Sequence, residues 1–171
     1  MTEAFVPLLD PINGRIVNMG SHSAPVLIAS LEKIDSSAFK LLSSKKASWP
    51  ELEAYMKATY KSLKGLECYA LTKAILHKYT EVAAAKYPNL MISSVTPGFV
   101  DTGMTSLVPK KVKGKGFGTK VSTDEGTTST RHTLFAQLGG SGWYYGADGI
   151  RSPLHVLRIA GEPAFYGYPK L

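Results

Sequence analysis

Tyr69, Lys73 and Ser21 are the side chains in this sequence best suited to moving a proton to and from an oxygen atom. Tyr69 and Lys73 stand four apart in YALTK, one turn of a helix, so they face the same way. A phenol titrates near pKa ~10 in water. An ammonium beside it favours the phenolate and lowers that value. The pair then works as a general acid and base near neutral pH. Ser21 follows RIVNMG, which reads as a buried strand with a tight exit. A hydroxyl at a strand end can hydrogen-bond a substrate carbonyl oxygen.

Each feature also has a plain structural reading. Y-x-x-x-K occurs three times, at Tyr60/Lys64, Tyr69/Lys73 and Tyr166/Lys170. The first lies in a polar excursion, and the last contains Pro169, which spoils a helix. Only the middle pair sits on a strong helix followed at once by a strand. Ser21 alone would serve to satisfy backbone groups, and His22 beside it reads as incidental. Neither Ser21 nor Ser141 lies in a G-x-S-x-G elbow, so a Ser–His hydrolase is excluded by motif.

The elements that must position these groups follow from periodicity. MTEAFVPLLD reads as the end of a helix with Phe5, Leu8 and Leu9 on one face, and Asp10 to Gly14 as a turn. Arg15 to Met19 is the strand before Ser21. Val26 to Leu42 predicts one or two short helices broken around Asp35-Ser36-Ser37. Ser48-Trp49-Pro50-Glu51 is a capping box opening a helix towards Leu63 and Gly65. Both pieces read as a surface excursion. Tyr69 to Tyr87 predicts a long helix with Leu71, Ile75, Leu76, Tyr79, Val82 and Ala83 on its apolar face, stopped by Pro88. Leu90 to Thr96 is a strand closed by Pro97-Gly98. A Lys- and Gly-rich loop spans 103–121. Ser122 to Glu125 is a second capping box, for a helix to about Leu138, and Trp143 to Tyr145 is a short strand. The tail after Gly146 reads as loop. Strands alternating with helices imply an α/β parallel sheet with crossover helices, which binds ligands at the carboxyl ends of its strands. Those ends are Gly20-Ser21 and Pro97-Gly98.

At 171 residues, 44% hydrophobic and 19% charged, the chain has one domain's length and enough apolar surface to bury a core. It has no apolar run of the roughly 20 residues that span a bilayer. The start carries Glu3 and no basic region, so no signal peptide is expected. The single cysteine, Cys68, excludes an internal disulfide framework and a cysteine-based zinc cluster. It fits a reducing, cytoplasmic setting. The net charge of +7 owes much to Lys110, Lys111, Lys113, Lys115 and Lys120. No aromatic interleaving accompanies those lysines, so they read as a solvated loop and not as a nucleic-acid surface. No metal site is expected.

Taken together, RIVNMGS, YALTK and MISSVTPGFVDT resemble the catalytic, C-terminal half of the short-chain dehydrogenase/reductase family. Their order and the spacing from Tyr69 to Pro97 carry the resemblance, and it covers essentially the whole chain. It implies a Rossmann-type, doubly wound sheet represented by roughly its last three strands, so that 1–171 is part of one NAD(P)-binding domain. It also implies NAD(P)(H)-dependent, reversible carbonyl reduction or alcohol oxidation by hydride transfer on a small-molecule substrate. By that resemblance Ser21 orients the substrate carbonyl. Tyr69 is the acid/base, and Lys73 tunes it and holds the nicotinamide ribose. Pro97, Gly98, Val100 and Thr102 flank the nicotinamide.

The separation of 48 positions from Ser21 to Tyr69 is similar to that of the subgroup with an inserted helical segment, here 22–64, typified by carbonyl reductase and the salutaridine/menthone-type reductases. That subgroup implies NADP(H), with NAD(H) the alternative, and a monomer for a full-length protein, with 103–121 as a substrate-side loop. Gly20 stands where a serine is usual. The family's Gly-rich pyrophosphate turn is absent, and KGKGFG at 113–118 lacks the spacing and the preceding strand to replace it. A truncated chain is therefore expected. Its alternative role is an inactive remnant, an interaction module associating through the edge of the 15–19 strand.

Overall fold

A computed structural model describes residues 2–106 and 119–167. The elements run α1 (Thr2–Phe5), β1 (Arg15–Met19), α2 (Ser23–Ile34), α3 (Ser36–Ser43), α4 (Trp49–Thr59), α5 (Leu66–Lys86), β2 (Met91–Val95), α6 (Thr128–Phe135), β3 (Trp143–Tyr145) and β4 (Arg151–Ser152). The strands lie in chain order, β1-β2-β3-β4. β1 and β2 are parallel, with Arg15 opposite Met91 and Met19 opposite Val95. β3 joins in parallel, and β4 folds back antiparallel onto it. No described strand pairs with the outer edge of β1.

Side chains alternate across a strand, and here the alternation separates two helical layers. Asn18 donates to Thr80 of α5, and Ile16 packs against the cluster of Ala83 of the same helix, Leu90 and Ile92. Arg15 points the other way and donates to the Thr133 and Ala136 carbonyls at the end of α6. The sheet is thus sandwiched between α5 and α6, the doubly wound arrangement the sequence implies.

The excursion from 22 to 64 forms α2, α3 and α4 and is more than a surface addition. Ala24, Ile28, Leu42 and Leu52 are fully buried and cluster with Leu71, Ala74 and Ile75 of α5. Their partly polar pattern reflects burial on one side only. The break between α2 and α3 falls at Asp35, whose carboxylate accepts the Ser37 and Ala38 amides and caps α3. The Ser48/Glu51 box opens α4 as expected. The helix ends at Thr59 instead of running on to Leu63, because Ser62 takes the Thr59 carbonyl with both its amide and its hydroxyl.

Three further expectations shift. At the start, Pro7 lies in a 3-10 turn, Val6–Leu8. With three residues per turn, Val6 and Leu9 face the Ala83–Leu90–Ile92 cluster, while Phe5 and Leu8 are exposed. The Ser122/Glu125 box forms, but it opens a 3-10 turn, Glu125–Thr127, and α6 stops at Phe135 short of Leu138. Close packing sits at that turn: a Cβ on Gly126 would meet Val100 Cγ2 at 2.6 Å. The tail gains order from Arg158, which is buried and pairs with Asp148, donates to Ser152 Oγ at 2.7 Å, and donates to the Glu162 carbonyl at 2.6 Å.

Lys110, Lys111, Lys113, Lys115, the KGKGFG stretch and Lys170 lie outside the described residues. Lys120 departs from the solvated reading. Its ammonium donates to Asp101 at 3.1 Å and to the Thr105 carbonyl at 2.5 Å. Among the described residues no helix is long and apolar enough to cross a membrane.

Candidate active site

The parallel register places the exits of β1 and β2 side by side, because Met19 lies opposite Val95. Gly20 extends the pairing by one bond, donating to the Val95 carbonyl at 2.7 Å. Ser21 follows at once. Its hydroxyl accepts the Ser23 amide at 3.2 Å, and its carbonyl accepts the Ala24 amide at 3.1 Å, the first turn of α2. A serine hydroxyl that accepts one bond still has its proton to donate.

α5 brings its own groups to the same place. It starts after Gly65, whose φ of +52° suits glycine. Tyr69, Lys73 and His77 fall at i, i+4 and i+8 and so line one side of the helix. The Lys73 ammonium donates to the Met19 carbonyl at 2.9 Å, two residues before Ser21, and lies 5.7 Å from the centre of the Tyr69 ring. The Tyr69 side is open: that residue keeps 45% of its surface. The structure therefore unites Tyr69 and Lys73 with the β1 exit that carries Ser21.

At the β2 exit Gly98 adopts φ +79°, a left-handed conformation that favours glycine. Its amide donates to Thr96 Oγ1 at 3.3 Å. Beyond Pro97 and Gly98 the chain pairs with 119–121: Val100 bridges Val121 in parallel, and the Asp101 and Val121 amides donate to the Val121 and Phe99 carbonyls, each at 2.9 Å. Val100 packs on Gly126. Thr102 is exposed, and its amide is held by Thr105 Oγ1 at 3.0 Å. The Lys120 ammonium lies 5.6 Å from the centre of the Phe99 ring.

His77 is the site residue that motif reading passes over. It is wholly buried. Nδ1 lies 2.7 Å from Ser94 Oγ, and Nε2 accepts the Ser21 amide at 3.4 Å. Burial pushes the imidazole down to about 3, and the Lys73 ammonium adds to the effect. It is uncharged at neutral pH. The one available signal was spacing, since His77 continues the Tyr69–Lys73 series by one more turn. His22 is pushed down too, by burial first and by Arg158 second, but it belongs to the start of α2. Among the described residues no cluster of His, Cys, Asp and Glu is arranged to hold a metal.

No family model matches the chain. Over 138 residues it is 31% identical to (+)-neomenthol dehydrogenase of Capsicum annuum, a match that takes in 68% of this chain and 40% of that protein. Over 113 residues it is 34% identical to (+)-neomenthol dehydrogenase of Arabidopsis thaliana, taking in 61% of this chain and 38% of the relative. Salutaridine reductase from Papaver somniferum superposes with a TM-score of 0.62 at 25% identity, over 84% of this chain and 49% of that one. Menthone neomenthol reductase from Mentha piperita superposes with a TM-score of 0.56 at 24% identity, over 86% and 46%, a likeness of fold. The chain thus spans less than half the length of the relatives it matches. The family resemblance borne by RIVNMGS, YALTK and MISSVTPGFVDT is the one these comparisons find: the chain is similar, in sequence and in its α/β Rossmann-type fold, to short-chain dehydrogenase/reductases of the neomenthol dehydrogenase and salutaridine reductase kind.

Proposed function

We propose that the chain carries the catalytic groups of a nicotinamide-dependent oxidoreductase that interconverts a carbonyl and an alcohol. The observation that supports this best is the Lys73 contact with Met19. It brings the Tyr69–Lys73 side of α5 to the strand exit that carries Ser21.

The donors present fit the nicotinamide–ribose end of NADP(H), or of NAD(H). Lys73 has three N–H donors and commits one to Met19, leaving others for ribose hydroxyls. Pro97, Gly98, Val100 and Thr102 follow the neighbouring strand exit and would flank the nicotinamide. The fit covers that end alone, since the sequence holds no G-x-G-x-x-G turn for the pyrophosphate. When bound, the dinucleotide supplies or accepts the hydride.

The chain's own residues handle the proton and the orientation. Ser21 donates its hydroxyl proton to the carbonyl oxygen and fixes that atom in place. In the reducing direction Tyr69 gives a proton to the same oxygen as negative charge grows on it. In the oxidising direction it takes the proton back. Lys73 places a positive charge 5.7 Å from the centre of the Tyr69 ring.

The relatives' names point to alicyclic ketones and alcohols, so menthone and neomenthol are the probes of choice. Titration of NADPH into the purified chain, followed by menthone reduction read as loss of NADPH absorbance, tests the reading. Micromolar binding with turnover is the expected result for an active chain. Absence of both supports a second reading, favoured by the outer edge of β1, with which no described strand pairs: an inactive module that associates through that edge. Neither reading involves nucleic acid or a membrane surface, and we place the protein in the cytoplasm as a monomer when complete.

A further inference from the structure

Gly20 and His77 are fitted to each other. A Cβ on Gly20 would stand 2.1 Å from His77 Cε1 and 2.3 Å from Nε2, where non-bonded carbons keep about 3.5–4.0 Å. The imidazole fills the volume that a side chain at position 20 would need. It also touches three strands or their exits. Nδ1 reaches Ser94 of β2, and the ring meets Tyr144 of β3 edge-on with centroids 4.4 Å apart. Nε2 reaches the Ser21 amide beyond β1.

The protonation pattern follows from the partners. A backbone amide only donates, so Nε2 presents its lone pair to Ser21. A neutral imidazole has one N–H, which then sits on Nδ1 and is donated to Ser94 Oγ. Lys73 holds the Met19 carbonyl one turn earlier on α5. Two successive turns of that helix therefore hold the chain on either side of Gly20.

We propose that His77 is a positioning residue for Ser21: the neutral Nδ1–H imidazole accepts the Ser21 amide, fixes where the Ser21 hydroxyl points, and enters only because residue 20 is glycine. The catalytic meaning rests on the role of Ser21 proposed above. The geometry does not, and it is tested without turnover.

Nitrogen NMR of the histidine-labelled chain reads the tautomer. Hydrogen exchange at the Ser21 amide reads the bond, and exchange at the Thr96 amide, which donates to Tyr145 at 3.1 Å within the sheet, reports the fold. The expected tautomer is Nδ1–H. In His77→Leu, which keeps volume without an acceptor, Ser21 should exchange at least about tenfold faster with Thr96 unchanged. His77→Gln, which can offer an amide oxygen, should hold Ser21 within about threefold of the parent. An Nε2–H tautomer, or Ser21 protection unchanged in His77→Leu, overturns the proposal. Should His77→Leu fail to fold, the size match decides: Gly20→Ala should lower the melting temperature, and adding His77→Ala should restore part of the loss. A Gly20→Ala chain as stable as the parent overturns the proposal as well. A chain that passes these tests but reduces no ketone refutes the enzymatic reading and leaves this one standing.

Discussion

One side of α5 carries Leu71, Ala74 and Ile75 into a core shared with Ile28, Leu42 and Leu52 of the excursion helices. The other side carries Tyr69, Lys73 and His77 over the exits of β1 and β2. The first contact is apolar and tolerant of detail, because volume and burial govern it. The second is a short series of directed polar contacts, Lys73 to the Met19 carbonyl and His77 to Ser21 and Ser94. The contrast shows how a helix fixes a reactive end: the apolar side anchors the cylinder, and the polar side then has little freedom left in where it places its groups. Within the polar side a gradient runs from the open Tyr69 to the sealed His77.

The largest effect should come from the open end. If the chain turns over, Tyr69→Phe should lower the rate about 10²–10⁴-fold with thermal stability unchanged, since the ring stays and the residue is largely exposed. Equal turnover in both proteins, measured as NADPH consumption, would remove the distinction between the two sides of α5.

Leu42→Ala addresses the apolar side. Leu42 is fully buried, and truncating such a residue costs about 2–5 kcal/mol. A urea unfolding curve gives the loss. A cost below about 0.5 kcal/mol, typical of exposed sites, would return α2–α4 to the status of a surface addition.

Acid should probe the sealed end. His77 moves from 6.5 to about 3 on folding. The unfolded chain therefore binds its proton first as pH falls, and stability present above pH 6.5 is lost on the way down to pH 3. The loss from this group reaches about 3 kcal/mol between pH 7 and pH 4. His77→Gln should flatten that slope. His22 and His155 are also pushed down, so some slope remains. Glu81, pushed up by burial, works in the opposite sense, since its contribution is lost as pH rises. Identical slopes in parent and variant would mean that His77 is not sealed.

The smallest effect concerns the framework. Ser48→Ala should cost about 1 kcal/mol, because the box opens the 11-residue α4. Ser122→Ala should cost less, since the same box opens only a three-residue 3-10 turn. Paired thermal melts would show the order, and a reversed order would show that local caps outrank the tertiary anchors.

Much of the frame was legible because its signals are local. The β1 exit, the Ser48/Glu51 box, the Asp35 break and the Pro88 stop each depend on a few neighbouring residues, and the structure reproduces them. The end of α4 and the start of α6 depart from the periodicity, because Ser62 takes the Thr59 carbonyl and Gly126 packs on Val100, contacts on which periodicity says nothing. The placement of Phe5 and Leu8 failed because one proline changed the turn from 3.6 to three residues. The tail could not be read, because Arg158 orders it through contacts with Asp148, Ser152 and Glu162.

The sequence by itself determined that Tyr69 and Lys73 share a helix side, that Ser21 ends a strand, and that β1, β2 and β3 run parallel, since each follows from spacing along the chain; the antiparallel β4 was not among these. Only the tertiary structure decided that Lys73 lands on the Met19 carbonyl and that His77 fills the space above Gly20. The physical reason is distance along the chain. Met19 and Gly20 lie more than fifty residues from Lys73 and His77, and only the packing of α5 on the sheet brings them together.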